Sequence, residues 1–184
     1  MAAKHVGLDI ALAILAVVAG SALAWALGGQ PPIIGIDDAA IMRAYAENIA
    51  NGAGYVYNVG GERVEGATSL LWTGLLTLAY LLSPEPEILI VLLAAGLTIV
   101  SVLAMLRLVR VLARRLGATP EIALVVALIG LVATPGYALW TVWTMMEVPL
   151  WSMLLMVLVY RLVRLVELEE EETVDAAVLI AAAL

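Results

Sequence analysis

Residues 88–106 read ILIVLLAAGLTIVSVLAML, nineteen consecutive residues without a charged side chain. As an α-helix this stretch is about 29 Å long, which matches the roughly 30 Å hydrocarbon core of a bilayer. Three further apolar runs approach or reach that length, namely Leu8–Leu27, Ile122–Leu139 and Val148–Tyr160. Only 14% of the residues are charged, against about a quarter in soluble domains. The sequence therefore predicts an all-α polytopic membrane protein.

The predicted spans cover about 8–28, 86–108, 121–140 and 148–166, and another segment begins at 174–184. The end of the first run, Ala26 to Gln30, lacks a small-x-small cleavage pattern, so we interpret this run as a retained anchor. Eleven residues are too few to cross a bilayer as a helix. We therefore expect the natural protein to continue, and we interpret this chain as the N-terminal part of a larger transmembrane domain.

A short apolar stretch, 68–82, decides the predicted topology. If it crosses the membrane, the arginines after the second span lie opposite Lys4, against the positive-inside rule. If it is re-entrant, seven basic residues share the cytoplasmic side: Lys4, Arg107, Arg110, Arg114, Arg115, Arg161 and Arg164. Only Arg43 and Arg63 then lie outside. The sequence thus predicts a multi-pass plasma-membrane protein with a cytoplasmic N-terminus, an extracytoplasmic loop 29–67 and a short or re-entrant helix 68–82.

The outer loop contains most of the polar chemistry and a predicted helix over Asp38–Asn51. In that helix Ile41, Tyr45 and Ile49 share one face, which is typical of a helix lying along a membrane surface. Asn51 and Gly52 are residues that tolerate the left-handed conformation found after helix C-termini. The topology places the turn 137–147 on the same side, so we expect acidic residues from two distant segments to converge.

Asp37 and Asp38 precede the predicted helix and allow two interpretations. One is an N-cap with a carboxylate at the positive end of the helix dipole. The other is that one carboxylate caps while its neighbour accepts a proton from a substrate hydroxyl as general base. Adjacent acids also suit a divalent cation such as Mg²⁺ or Mn²⁺, although two carboxylates alone specify no metal.

Glu147 and Arg63 likewise have a structural and a functional interpretation. Glu147 either caps the helix that begins near Pro149 or acts as an ionisable group at a membrane boundary. Arg63 either pairs with Glu62 and Glu65 or holds a phosphate, and the sequence favours the pairing.

Several function classes find no support in the composition. The single histidine, His5, and the absence of cysteine exclude hydrolase triads and His/Cys metal sites for this chain. A net charge of −7 argues against nucleic acid as a partner. No Gly-rich phosphate loop precedes a Lys-Ser/Thr pair, so ATP-driven transport is not indicated.

The outer loop and the start of the next helix contain three characteristic stretches, DDAAIMRAYAENIANG (37–52), GYVYN (54–58) and ERVEGATSLLW (62–72). In these stretches the chain resembles GT-C membrane glycosyltransferases, in the branch with terminal arabinofuranosyltransferases and protein mannosyltransferase-like proteins. These stretches are similar to the family's ordered pattern of Asp-Asp, Arg-Tyr-Ala, Val-Tyr-Asn, Arg-Val-Glu-Gly and Thr-Ser-x-Leu-Trp. Residues 145–150, MMEVPL, are similar to the family's Gly-Leu-Glu-Thr-Pro-Leu. They depart from it at Met145 and Val148.

The resemblance implies a GT-C helix bundle and an inverting sugar transfer at the outer face. It implies a polyprenyl-phosphate sugar donor and a glycan, lipid or protein acceptor. It assigns Asp37, with Asp38, as the catalytic acids. Substrate-binding positions would be Tyr57, Arg63, Glu65 and Glu147, with Arg63 near the lipid phosphate.

Two other classes of protein remain open. A transporter module would use Asp37, Asp38 and Glu147 to bind ions, but transporters usually place such acids near the membrane midplane. An assembly subunit with a structural outer loop would tolerate neutral substitutions of these acids.

Overall fold

The computed structural model describes residues 2–28 and 35–168, and every regular element within these ranges is helical. This confirms the predicted all-α class. In chain order the elements are α1 (Ala2–Gly28), α2 (Asp37–Ala50), α3 (Leu70–Leu82), α4 (Glu87–Arg115), α5 (Pro120–Val132), α6 (Pro135–Ala138), a π-helical turn (Leu139–Trp143) and α7 (Val148–Leu168). The segment expected to begin at 174 lies outside the described residues.

Three of these helices are long and apolar enough to cross a bilayer: Val6–Gly28 within α1, Glu87–Arg115 and Val148–Val166 within α7. A bent pair, α5 with the α6 and π-helical segment, is a fourth candidate if it counts as one span. Large apolar side chains such as Leu15, Leu92 and Leu155 are exposed on these helices. Lipid is the solvent that suits such surfaces, so a bilayer is the natural environment of this chain.

The third expected span, 121–140, is not one continuous helix. Its two parts, Pro120–Val132 and Pro135–Trp143, meet at an angle of 69°. Pro135 causes the break because it lacks a backbone N–H and disfavours the α conformation in the residue before it. Accordingly, Thr134 has φ −110° and ψ 72°, outside the helical region. The bend carries the chain back towards α1, where Trp143 Nε1 donates to Ser21 Oγ at 3.2 Å.

An ion pair between α1 and α4 fixes the relative direction of these two helices. Arg110 Nε and Nη2 donate to Asp9 Oδ1 at 3.1 and 2.6 Å, and both residues are buried. Asp9 lies near the start of α1, and Arg110 lies near the end of α4. Further along, Ser21 of α1 and Thr98 of α4 bond to Trp143 and Thr141 of the same π-helical turn, so the two helices are antiparallel. In a low-dielectric surrounding, either charge alone would be strongly unfavourable, so each stabilises the other.

The short helix α3 does not connect opposite ends of the bundle. With 13 residues it is about 20 Å long, too short to cross the hydrocarbon core. Because α1 and α4 are antiparallel, the start of α1 and the end of α4 lie at one end of the bundle. The end of α1 and the start of α4 then lie at the other end, and α2 and α3 connect them there. This geometry supports the re-entrant alternative over the crossing one.

We expect Asp9→Asn to destabilise the protein by about 3–5 kcal/mol, because it leaves the Arg110 guanidinium buried and unpaired. The exchanged double variant Asp9→Arg/Arg110→Asp should recover at least half of that loss. Thermal unfolding of detergent-purified protein measures both effects, with Arg114→Gln, an exposed site at the same end of α4, as the control. Equal stability of Asp9→Asn and Arg114→Gln would contradict a stabilising role for the ion pair.

Cysteine labelling can test whether α3 crosses the membrane, because the chain contains no cysteine of its own. Glu62, Glu85 and Ala118 are exposed, and each can be replaced by a single cysteine. We expect an impermeant maleimide to label the first two from one side of the membrane and the third only from the other. Labelling of Glu62→Cys and Glu85→Cys from opposite sides would show that α3 crosses.

Candidate functional site

Helices α2 and α3 form a hairpin at the end of the bundle where α4 begins. Ala39, Met42 and Ala46 are buried on α2 and belong to one apolar cluster with Trp72 and Leu76 of α3. The expected face of Ile41, Tyr45 and Ile49 is only partly correct, since Tyr45 is buried while the two isoleucines are half-buried. The observed face is built from small or flexible side chains, which allow two helices to approach closely.

Arg43 connects this hairpin to α4. Its guanidinium pairs with Glu87, the first residue of α4, and its Nε donates to the Tyr80 hydroxyl at 3.2 Å. Partial burial lowers the pKa of Arg43, but Tyr80 and Glu87 outweigh this effect and the net pKa lies above its ordinary value. Glu47 lies one turn along α2 from Arg43, the spacing at which helical side chains often pair. The ion pair instead joins residues 44 positions apart.

The turn before α7 packs against the hairpin through two hydrogen bonds. Trp72 Nε1 donates to the Met145 carbonyl at 2.9 Å, and the Gly35 amide donates to the Trp143 carbonyl at 2.9 Å. Met145 is fully buried and has φ +58°, a left-handed conformation that disfavours any residue with a Cβ. The segment before α2, helix α3 and the turn before α7 therefore lie together, and the expected convergence of their acidic residues stays a prediction.

Glu147 contacts the outer loop and does not cap α7 with its side chain. Thr68 Oγ1 donates to Glu147 Oε1 at 3.1 Å. The second carboxylate oxygen, Oε2, is buried and has no hydrogen-bond partner among the described residues. Only the backbone carbonyl of Glu147 accepts amides of α7, from Leu150 and Trp151. A buried carboxylate oxygen without a donor is energetically costly, so this oxygen is available to a ligand.

Asp37 and Asp38 both lie in the first turn of α2 and are exposed. The N-cap residue is Ile36, which offers no side-chain hydrogen bond. The N-cap interpretation of the acids is therefore wrong, although the helix dipole still favours negative charge there. Neither carboxylate has a hydrogen bond or ion pair within the described residues, so both keep their lone pairs available.

The loop after α2 folds back on the C-terminal half of that helix. The Asn48 side-chain amide donates to the carbonyls of Val56 and Tyr57 at 2.8 and 2.9 Å. The Tyr45 hydroxyl donates to the Val64 carbonyl. The helix ends at Ala50, one residue before the predicted end at Asn51, and Gly52 has the expected left-handed conformation. The loop is thus held by side chains of α2.

Tyr55, Arg63, Val64 and Glu65 line a pocket of about 340 Å³ in this loop. The Tyr55 hydroxyl is enclosed, and its O–H proton has no acceptor in the described chain. Burial, then the neighbouring Tyr45 and Glu65, raises the pKa of Tyr55 above its ordinary value, although the Ala67 backbone amide, which is placed to donate to the phenol oxygen, lowers it in part. Among the described residues Arg63 forms no ion pair with Glu62 or Glu65, so the pairing that the sequence favoured is not observed.

The predicted site residues therefore fall into two groups. Asp37, Asp38 and Glu147 belong to the first turn of α2 and its neighbours, whereas Tyr57, Arg63 and Glu65 belong to the loop beside Tyr45. Asp37 and Tyr45 are eight residues apart, which is about 12 Å along the helix axis. Sequence reasoning did not single out Thr68 or Tyr55, although both stand within the quoted motifs. The described residues contain no group of three or more His, Cys, Asp or Glu side chains suited to a metal ion.

A larger groove of about 540 Å³ lies between α1 and α5. Its lining is aliphatic throughout and includes Leu12, Leu23, Leu128 and Val132. The groove offers no group for acid-base or nucleophilic chemistry, so it is not a candidate for the reacting site.

Substitutions at Met145 test the strained turn. Both Met145→Ala and Met145→Gly lose buried packing, but only glycine relieves the left-handed conformation. We expect Met145→Gly to be about 1 kcal/mol more stable than Met145→Ala, the reverse of the usual order. Thermal unfolding measures the difference, and the same pair of substitutions at Met146 is the control. Greater stability of Met145→Ala would show that the turn is relaxed.

No protein-family model matches this chain, and no curated protein or solved structure matches it. Any assignment of function therefore rests on the motifs and contacts of the chain itself.

Proposed function

We propose that this chain is part of a membrane glycosyltransferase of the GT-C type. It would transfer a sugar from a polyprenyl-phosphate donor to an acceptor hydroxyl at the extracytoplasmic face of the plasma membrane. The observation that carries this proposal is the hydrogen bond from Thr68 to Glu147, which joins residues 79 positions apart. Thr68 stands in the Thr-Ser-x-Leu-Trp stretch and Glu147 in the second motif. The two motifs that resemble the family thus meet in space.

The backbone of Met145 gives further support. This residue stands where the family pattern has glycine, and its φ of +58° is a conformation that glycine adopts without steric cost. The departure from the family pattern therefore leaves the shape of the turn intact. Trp72, the last residue of the first motif, donates to the carbonyl of this same residue. Residues of both motifs are thus in direct contact at the turn before α7.

In the proposed reaction the acceptor oxygen attacks the anomeric carbon of the donor as the bond from that carbon to the phosphate oxygen breaks. The configuration inverts, and the acceptor proton passes to the carboxylate of Asp37. Asp37 is exposed and free of internal hydrogen bonds, as a base that must reach a substrate hydroxyl requires. The polyprenyl phosphate leaves as an anion and needs little proton assistance. Asp38 would orient the acceptor beside Asp37.

Glu147 would bind substrate through its free oxygen. Thr68 holds Oε1, which fixes the carboxylate plane and leaves Oε2 to accept a hydrogen bond from a sugar hydroxyl. The adjacent carboxylates Asp37 and Asp38 do not by themselves form a metal site. No third acidic, His or Cys ligand joins them in the described chain.

A transporter or assembly subunit fits the observed geometry less well. Asp37 and Asp38 are exposed at a helix end, whereas ion-binding acids of transporters usually lie between broken helices at the midplane. The one intramembrane acid in the described spans that is buried, Asp9, is already paired with Arg110.

The test is sugar transfer from polyprenyl-phosphate sugars in membranes that contain the full-length protein. We expect Asp37→Asn to reduce transfer by a factor of about 10² or more, because it removes the general base. Glu147→Gln should also reduce transfer. The control is Glu47→Gln, an exposed carboxylate at the other end of α2. Equal transfer by Asp37→Asn and Glu47→Gln would contradict the proposed base.

A further inference from the structure

We infer that the pocket of Tyr55, Arg63, Val64 and Glu65 is a second carbohydrate subsite, which binds a neutral sugar of the acceptor remote from the reacting hydroxyl. The term acceptor rests on the proposed function, but binding of a neutral sugar does not. The pocket volume, about 340 Å³, lies at the lower end of the range for small-molecule sites.

The polar groups of this pocket are complementary to sugar hydroxyls. Arg63 offers N–H donors that no described residue accepts, and Glu65 offers carboxylate acceptors. The Ala67 backbone amide is placed to donate to the enclosed Tyr55 oxygen, but the Tyr55 O–H proton has no acceptor within the described chain. An enclosed O–H group without an acceptor is costly, and a ligand that supplies an acceptor removes that cost. A sugar hydroxyl, which both donates and accepts, satisfies all three groups at once.

The charges in the pocket favour a neutral ligand over a phosphate. A phosphate gains from Arg63 but is repelled by Glu65, which lines the same space. Anion sites usually combine cations or backbone amides without a carboxylate. Arg63 together with Glu65 brings no net charge to the pocket, so a neutral polyol loses nothing on entry. This placement separates Arg63 from the lipid phosphate to which the family resemblance assigned it.

Two further tyrosines lie beside Tyr55 on the side of α2. The Tyr45 ring lies 4.6 Å from the Tyr55 ring and 5.9 Å from the Tyr57 ring, measured between centroids. Tyr57 is 40% exposed, so part of its surface is open to a ligand. The negative face of an aromatic ring attracts the weakly positive C–H groups on one side of a sugar ring. Tyr57 does not line the pocket itself, so this contact is open only to a ligand that extends beyond the pocket.

Side chains of α2 hold the loop that forms the pocket, without any contribution from a ligand. Asn48 and Tyr45 bind the carbonyls of Val56, Tyr57 and Val64, which fixes the loop on both sides of the pocket. A preorganised loop loses little conformational entropy on binding. Because Tyr45 and Asp37 are separated by about 12 Å along α2, a sugar in the pocket is not the one that reacts at Asp37. The acceptor that uses both must be an oligosaccharide.

The experiment measures binding alone, with detergent-purified full-length protein and no donor. The probes are a neutral linear mannotriose, a neutral linear arabinofuranotriose and, for comparison, inorganic phosphate, each followed by saturation-transfer NMR. We expect at least one trisaccharide to bind and phosphate not to compete with it. Tyr55→Phe and Arg63→Gln should each weaken the binding about tenfold. The control Glu62→Gln changes an exposed carboxylate that does not line the pocket and should have no effect.

Thermal unfolding shows whether the variants remain folded. The melting temperature should be unchanged in Arg63→Gln, whose side chain has no described partner to lose, and lowered at most slightly in Tyr55→Phe, which loses only the contact with the Ala67 amide. Binding of phosphate instead of sugar, equal binding by Tyr55→Phe and native protein, or no sugar binding by folded native protein would each overturn the inference. Sugar binding without any transfer activity would count against the proposed function but would support the subsite. Transfer activity without sugar binding at this pocket would support the proposed function but would contradict the subsite.

Discussion

The arrangement of this chain depends on one electrostatic constraint, the pairing of Asp9 with Arg110 in a surrounding that cannot solvate either charge. The pair fixes α1 and α4 as antiparallel neighbours. The end of α1 and the start of α4 consequently lie at one end of the bundle, and the chain between them must be accommodated there. Helices α2 and α3 do this as a hairpin that Arg43 joins to Glu87 at the first turn of α4.

Pro135 is a second constraint, because the bend at this residue brings the turn before α7 to the hairpin of α2 and α3. Without the break at Thr134, an apolar helix from Pro120 would continue straight. The 69° bend instead directs the π-helical turn towards α1 and the following turn towards Trp72. The carbonyl of the left-handed Met145 then finds a donor in the indole N–H of Trp72. Buried backbone groups require such partners, so bend, turn and hairpin depend on one another.

The features that the sequence predicts correctly are those that depend on residues close together in the chain. The helical class, the end of α2 at Asn51 and Gly52, and the short α3 follow from hydrophobic runs, left-handed residues and length. Long-range pairing was beyond reach of such patterns. Asp9 is a single acid in an apolar run, and its partner lies 101 residues away. Arg43 pairs with Glu87 and not with a residue on the adjacent turn of its own helix. The break at Pro135 had a visible signal, the proline itself, which the high hydrophobicity of the run outweighed.

The motifs of the outer loop are contiguous in sequence, and contiguity suggested one pocket. The helix between them separates its two ends by its own rise, so the acids at the start of α2 and the pocket beside Tyr45 cannot share one small ligand. Under the proposed function they would contact successive sugars of one extended acceptor. Thr68 follows the pocket residues and returns the chain to Glu147, and Trp143, four residues before Glu147, accepts a hydrogen bond from the amide of Gly35, two residues before α2. The segment between Gly35 and Thr68 thus leaves the first turn of α2, builds a separate pocket and comes back to the same turn before α7, a path that suits the proposed chain-like substrate.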